Sequence, residues 1–148
     1  MIDIFLSKFG IAKLAYFNIG NRYYTASEKL LALNKEIDKK PELIGTFLGE
    51  IKDGKFSPSL PLLSIIAKDT NEKVIIKEIG ENDFLYGKNL RPRHILKIEG
   101  TMKEGFLKIV VNEKNECLGM AKLKKITGNE ASFRNIIDLG DYLRRERK

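Results

Sequence analysis

Basic side chains are the groups in this sequence whose types and spacing suit a chemical task, and one cluster of them closes the chain. Arg144, Arg145, Arg147 and Lys148 surround Glu146. At ~100° per residue of a helix, the four cations fall within an arc of roughly 160°, with the glutamate opposite. This one-sided face suits phosphate groups, although cations at a helix C-terminus also complement the helix dipole.

Two further basic clusters precede the tail. The second gathers around Gly87, which lets a polyanion backbone approach closely, and its members are Lys88, Arg91, Arg93, His94 and Lys97. The third follows a Leu-Gly pair and consists of Lys122, Lys124 and Lys125. Strand alternation puts Lys122 and Lys124 on one face and Lys125 on the other, so a solvated sheet face explains this cluster equally well.

No catalytic residue, cofactor or metal ligand is expected. The sequence contains no GxxxxGK loop followed by Ser or Thr, no GxGxxG turn and no paired His or Cys spacing. Cys117 is the only cysteine, and its place in an apparent barrel strand favours a buried structural thiol. His94 lacks an Asp or Cys constellation, so it is expected to make local hydrogen bonds in a strand. The chain is therefore predicted not to be an enzyme.

The aromatic residues are predicted to lie mainly in the core. Tyr86 ends an apolar run that begins at Phe84, so burial is favoured over stacking on a nucleobase. Tyr23 and Tyr24 are neighbours in a predicted strand and point to opposite faces, so at most one is expected to be buried. The other is a candidate contact for a partner.

The first half carries the turn and helix signals of a small antiparallel sheet with helices. LAYFNIGNRYYTA contains a tight turn at residues 18–21, and Asp53-Gly54 marks a second turn after the strand LIGTFLGEI. Thr25 and Glu28 have capping-box spacing before a helix that runs to about residue 34. The apolar segment LPLLSIIAK predicts another helix packed on this sheet.

From Val74 the sequence changes to short β-rich pieces: VIIKE, FLYG, HILKIEG, FLKIVVN, CLGMAKL and NIIDLG. Gly, Asn and charged turns separate them, which predicts a small mixed β-barrel. The predicted fold class is α/β in the broad sense (α+β). It divides into an N-terminal α/β domain over residues 1–72 and a C-terminal barrel domain over residues 73–148.

The charge is uneven along the chain, since 27 Lys and Arg against 20 Asp and Glu give a net +7. Residues 1–73 hold 11 basic and 9 acidic side chains, whereas residues 74–148 hold 16 and 11. This surplus favours a polyanionic partner. No run approaches the ~20 apolar residues that cross a bilayer and no signal-peptide pattern opens the chain, so a soluble intracellular protein is expected.

The segments FLYGKNLRPRHI and VVNEKNECLGMAKL resemble a PUA domain, the RNA-binding module of pseudouridine synthases and archaeosine transglycosylases. In that module a turn with glycine leads into a short helix, here residues 86–90, and a later hairpin ends in a Leu-Gly pair, here Leu118-Gly119. YYTASEKLLAL, LIGTFLGEI, KFSPSLPLLSIIA and the closing DLGDYLRRE are similar to the Nip-seven family of ribosome-biogenesis proteins. The resemblance spans roughly residues 15–146.

This resemblance implies a non-catalytic factor that binds single-stranded U-rich or A/U-rich RNA during pre-rRNA maturation of the large ribosomal subunit. A monomer with no membrane partner is expected, and its N-terminal domain is expected to contact ribosome-assembly or RNA-processing proteins. The implied location is cytoplasmic in archaea or nucleolar in eukaryotes. The expected RNA-binding residues are Arg144, Arg145, Arg147, Lys148, Lys88, Arg91, Arg93 and Lys97. Two alternatives stay open: a protein-interaction adaptor, and an RNA-delivering subunit of a modification enzyme.

Overall fold

A computed structural model of the chain describes residues 1–12, 14–25 and 45–146, without the side chains of residues 145 and 146. The chain divides into two compact units, Met1–Leu62 and Leu63–Lys148, and the boundary falls inside a helix. The domain division between residues 72 and 73 stays a prediction. Most of the helix expected from Thr25 to about residue 34 lies outside the described residues.

The first unit contains a short helix and a four-stranded antiparallel sheet in the order β1-β2-β3-β4. Its elements are α1 Ile2–Ser7, β1 Tyr16–Ile19, β2 Arg22–Thr25, β3 Phe47–Lys52 and β4 Lys55–Pro58. Both predicted turns are confirmed. Asp53 and Gly54 adopt φ values of 52° and 76°, the left-handed pair that matches the twist of a two-residue hairpin.

Helix α1 was not predicted, although its apolar residues have helical spacing. Ile2, Phe5 and Leu6 are all buried. The Phe5 ring centroid lies 5.2 Å from that of Phe56 on β4, so the helix packs on one face of the sheet. The prediction for the tyrosine pair in β2 is confirmed, because Tyr24 is 3% exposed while its neighbour is only half-buried.

The second unit is a curled half-barrel. One helix precedes its strands, a second lies between the first two strands, and a third follows the last strand. The five strands lie in the order β6-β5-β7-β8-β9, and only the β5–β7 pair is parallel, so the predicted mixed sheet is confirmed. The elements are α2 Leu60–Asp69, β5 Lys73–Ile76, α3 Glu78–Leu85, a 3-10 helix Pro92–His94, β6 Ile95–Ile98, β7 Leu107–Val111, β8 Cys117–Thr127, β9 Glu130–Asp138 and α4 Leu139–Glu146.

The core of this unit fills the concave side of the sheet. Its members are Val74, Ile76, Phe84, Leu90, Val110, Leu118, Ala121, Leu123, Ala131 and Phe133. They alternate with exposed residues along β9, as a strand with one buried face requires. Leu90 and Phe133 exchange two backbone hydrogen bonds of 2.9 Å, which tie the segment before β6 to the free edge of β9.

Two predictions around the turn glycine are wrong. The piece FLYG is not a strand, because Phe84 and Leu85 form the last turn of α3. Residues 86–90 are not a helix but the C-terminal cap of that helix. Gly87 adopts φ 86°, and the Gly87 and Lys88 amides donate to the Phe84 and Asp83 carbonyls at 3.0 Å each. This is a Schellman motif, which ends a helix where glycine accepts the left-handed conformation.

The third basic cluster also differs from its prediction. Strand alternation breaks at a bulge between Leu123 and Lys125, so Lys124 has no partner opposite it on β9. Beyond the bulge Lys125 pairs with Ser132, and both lie on the face opposite the buried Ala131 and Phe133. All three lysines of the cluster are therefore exposed on the convex side.

Candidate nucleic-acid interface

A cleft of about 610 Å³ lies between the segment after α3 and the convex side of strands β8 and β9. Its floor is the buried Leu90–Phe133 bridge. Its walls are polar or charged, and the residues that line it are Asp83, Gly87, Lys88, Asn89, Leu90, Arg91, Arg93, His94, Lys124, Ser132 and Phe133. A cleft with cationic walls suits a ligand that carries phosphates.

The positive charge of the cleft is largely uncompensated. Within the part of the chain that the structure describes, no carboxylate lies within 4.0 Å of Arg91, Arg93 or Lys124. Lys88 Nζ lies 3.8 Å from Asp83 Oδ1 and its side chain is well exposed, so that pair is weak. Among the described residues that line the cleft, four cations and one carboxylate leave a surplus of three positive charges.

His94 fixes the loop that carries two of these cations. Its Nδ1 accepts a hydrogen bond of 3.1 Å from the Arg91 backbone amide, and its Nε2 lies 3.2 Å from Asp83 Oδ2. Burial lowers the pKa of His94, as do the Arg93 and Arg91 cations, while Asp83 opposes the shift. The ring is therefore neutral at pH 7, with Nδ1 as acceptor and the Nε2 proton donated to Asp83.

Of the two predictions for His94, local hydrogen bonding is confirmed and its placement in a strand is wrong. The side chain makes local hydrogen bonds, as expected, but the residue ends the 3-10 helix and precedes strand β6. Pro92 begins this short helix, where the fixed φ of proline is favourable and its missing amide costs no hydrogen bond.

The second predicted cluster is only partly brought together. Lys88, Arg91 and Arg93 line the cleft. Lys97 lies on β6, outside it, and its Nζ is 3.7 Å from Glu99 Oε1. Arg91 precedes the 3-10 helix and Arg93 lies within it, so both stand before the strand, whereas Lys97 belongs to the strand itself.

Arg144, the first residue of the predicted tail cluster, has a structural contact. Its Nη1 donates to the Leu85 carbonyl at 3.1 Å, and its Nη2 lies 3.8 Å from Asp138 Oδ1. Asp138 in turn accepts a hydrogen bond from the Asp141 amide at the start of α4. Arg144 therefore satisfies a carbonyl at the C-terminal end of α3 and fastens α4 to it. The side chain of Arg145 and the whole of Arg147 and Lys148 lie outside the described residues.

Three residues of this surface were not among the expected RNA-binding residues. Lys124 and Ser132 line the cleft, and Arg134 lies opposite Lys122 on the neighbouring strand. These three residues come together through the register of β8 against β9. A hydrophobic pattern alone does not define that register across a bulge, so the sequence did not indicate this surface. Tyr86 is the remaining correction, because it is 75% exposed rather than part of the core.

Cys117 begins strand β8, as predicted, but it is half-buried rather than fully buried. Burial raises the pKa of its thiol, with opposing hydrogen bonds involving Gly119 and Ser64, so the group is protonated at neutral pH. In the described part of the chain no three His, Cys, Asp or Glu side chains converge on a position for a metal ion. No helix among the same residues is long and apolar enough to cross a membrane.

Known proteins resemble this chain in sequence and in fold. It is 32% identical over 112 residues to the 60S ribosome subunit biogenesis protein NIP7 of Saccharomyces cerevisiae, which covers 70% of this chain and 61% of that protein. The chain thus spans about three fifths of the yeast relative. A conserved PUA domain protein from Thermoplasma acidophilum superposes with a TM-score of 0.59 at 19% identity, over 98% of this chain and 91% of the other.

The family match agrees with the geometry of the second unit. The UPF0113 PUA domain matches residues 72–147, which contain the half-barrel and the cleft. The Thermoplasma structure shows the same fold at low identity, and the yeast relative confirms the predicted kinship with the Nip-seven family. The chain therefore belongs to the UPF0113 PUA-domain family.

Proposed function

We propose that this protein is a non-catalytic RNA-binding factor of large-ribosomal-subunit biogenesis, which holds single-stranded RNA in the cleft beside α3. The PUA domain over residues 73–148 makes the RNA contact, and residues 1–72 contact ribosome-assembly or RNA-processing proteins. The name of the yeast relative, a 60S ribosome subunit biogenesis protein, supports the choice of pathway. The resemblance noted in the sequence further suggests U-rich or A/U-rich RNA.

The observation that carries the proposal is the grouping of Arg91, Arg93 and Lys124 in one cleft without a carboxylate partner among the described residues. Cations held together repel one another, so this arrangement is unfavourable unless an anion approaches. Arginine presents several donors in a plane and suits phosphate oxygens. A nucleic-acid backbone supplies regularly spaced phosphates, which a small acidic metabolite does not.

The cleft is also shaped for RNA strands without a paired partner. Its polar walls offer hydrogen-bonding groups to bases as well as cations to phosphates, and the bases of a duplex turn inward. The loop is fixed in advance by the Schellman motif and by His94, so little loop entropy is lost when the ligand binds.

The test is fluorescence anisotropy of labelled oligouridylate, oligocytidylate and duplex RNA with the purified chain across a salt series. We expect both single strands to bind more tightly than the duplex, oligouridylate to bind more tightly than oligocytidylate, and affinity to fall linearly with salt concentration when both are plotted as logarithms. Equal affinity for the two single strands would refute the U-rich preference alone. Absence of binding at the lowest salt would refute RNA binding and favour the adaptor alternative.

A further inference from the structure

Tyr86 is the most exposed large apolar or aromatic side chain among the described residues. It is 75% exposed, whereas Phe84, two residues earlier in the same apolar run, is 0% exposed. An aromatic ring exposed to water gives none of the hydrophobic stabilisation that the buried Phe84 ring provides. Its position beside the cleft therefore calls for an explanation other than packing.

The backbone that carries Tyr86 is held rigidly on both sides. The Tyr86 residue is the C-cap of α3, and the two Schellman hydrogen bonds close around it. Asn135 Nδ2 donates to the Phe84 carbonyl at 2.9 Å, and Arg144 donates to the Leu85 carbonyl at 3.1 Å. Only the two side-chain torsions of the tyrosine stay free. Such a ring loses little entropy when a flat ligand stacks on it.

The residues that follow Tyr86 lead directly into the cleft. Gly87 has no side chain, and a Cβ at that position would meet nothing closer than Asp138 Oδ2 at 4.0 Å, so a ligand can approach the Gly87 backbone. Lys88 comes next and lines the cleft together with Arg91. An exposed ring thus adjoins a series of cations, which is the combination that binds bases and phosphates of a single strand.

We propose that Tyr86 is a nucleobase-stacking platform at the mouth of the cleft, and that it makes the protein prefer unpaired over paired RNA. This inference rests on the proposed RNA binding and adds the base-recognition element to it. In a duplex the base faces are covered by their neighbours and the ring has no partner. Stacking tolerates every base, so Tyr86 contributes strand selectivity rather than a preference for uridine.

The first test measures selectivity with Tyr86→Ala. We expect the affinity for labelled oligouridylate to fall between about 5-fold and about 150-fold, which is the range for one lost base–aromatic stack. The affinity for duplex RNA stays unchanged, and so does the salt slope, because no cation is removed. A matched control is Ile79→Ala, which removes another strongly exposed apolar side chain of α3 and leaves both affinities unchanged.

The second test reads the contact directly, since the chain contains no tryptophan. Tyr86→Trp introduces a single tryptophan, whose emission is quenched when a base stacks on the indole. Ile79→Trp is the matched reporter on the same helix, and its emission stays constant. Far-UV circular dichroism and thermal melting check that each variant keeps the fold. We expect it to persist because both positions are exposed.

The outcomes separate this inference from the proposed function. If wild type binds oligouridylate but Tyr86→Ala binds it equally well, or the introduced tryptophan is not quenched at saturation, the stacking role is refuted while RNA binding stands. If wild type binds no RNA at the lowest salt, both fail. Loss of single-strand affinity with an unchanged salt slope, together with quenching, supports the platform.

Discussion

Replacing both cleft arginines by glutamine is the perturbation that tests the RNA site most sharply. Arg91→Gln/Arg93→Gln removes two charges but keeps polar side chains of similar reach. The hydrogen bond that shapes the loop runs from the Arg91 backbone amide to His94, so the exchange of side chains leaves it in place. Both arginines are exposed and form no ion pair within the described residues, so we expect the fold to persist.

The size of the effect follows from how many phosphates the two arginines neutralise. Each phosphate neutralised on a single strand contributes about 0.7 to the slope of log affinity against log salt, so two contribute about 1.4. At about 0.1 M salt this is a loss of about 25-fold in affinity, and at about 0.3 M a loss of about 5-fold. The curves of variant and wild type converge near ~1 M salt, where the counterion contribution vanishes.

The assay is anisotropy of labelled oligouridylate at four or more salt concentrations, with Lys103→Gln/Lys114→Gln as the matched control. That pair removes the same charge from exposed positions of the same unit that do not line the cleft. We expect the control to change affinity by less than about 2-fold, because the Debye length at working salt is about 10 Å. Equal losses in the two variants, or an unchanged slope in Arg91→Gln/Arg93→Gln, would refute a localised phosphate site.

Three stability predictions concern residues away from the cleft. Lys108→Met leaves Glu72 without the ammonium group 2.6 Å away, so the free energy of unfolding in urea falls by about 3 kcal/mol. Burial alone would raise the pKa of Glu72, but hydrogen bonds from Lys108 and Thr101 lower it below its ordinary value of 4.5. The contribution of Glu72 to stability is therefore complete above pH 4.5 and is lost as the pH falls through the pKa of the folded state. We expect Glu72→Gln to remove this acid dependence of the melting temperature. Gly140→Ala places a Cβ against the Leu85 carbonyl oxygen, so the melting temperature falls as α4 is displaced from α3; an unchanged value would contradict the geometry.

Local chemistry explains why parts of this fold were predictable. The turns at residues 18–21 and 53–54 depend on residues that accept positive φ, and such preferences act within four residues. The run from Phe84 to Tyr86 misled because a short apolar segment is compatible with a strand or with the end of a helix. What decides between them is the cap at Gly87, whose hydrogen bonds reach back to Asp83.

In the candidate site, too, contacts between residues close in sequence were predictable and long-range contacts were not. Lys88, Arg91 and Arg93 are close in sequence, so the sequence alone predicted that they form a basic cluster. Lys124 reaches the same cleft through a bulge and a strand register, which are long-range properties of the sheet. Arg144 contacts a carbonyl 59 residues earlier, and nothing in the basic run around it indicates that partner.

Asp83, the one carboxylate among the described residues that line the cleft, leaves the positive charge there uncompensated. Asp83 lies 3.2 Å from His94 Nε2, and that neutral ring also receives the Arg91 amide. The carboxylate is thus occupied in fixing the loop and does not reach Arg91 or Arg93 within 4.0 Å. A protonated His94 would lose its acceptor at Nδ1, so the Arg91 amide would lose its hydrogen bond, while the contact of Nε2 with Asp83 on α3 would remain. The neutral histidine therefore keeps the shape of the loop, and a polyanion that binds in the cleft relieves the repulsion between the cations.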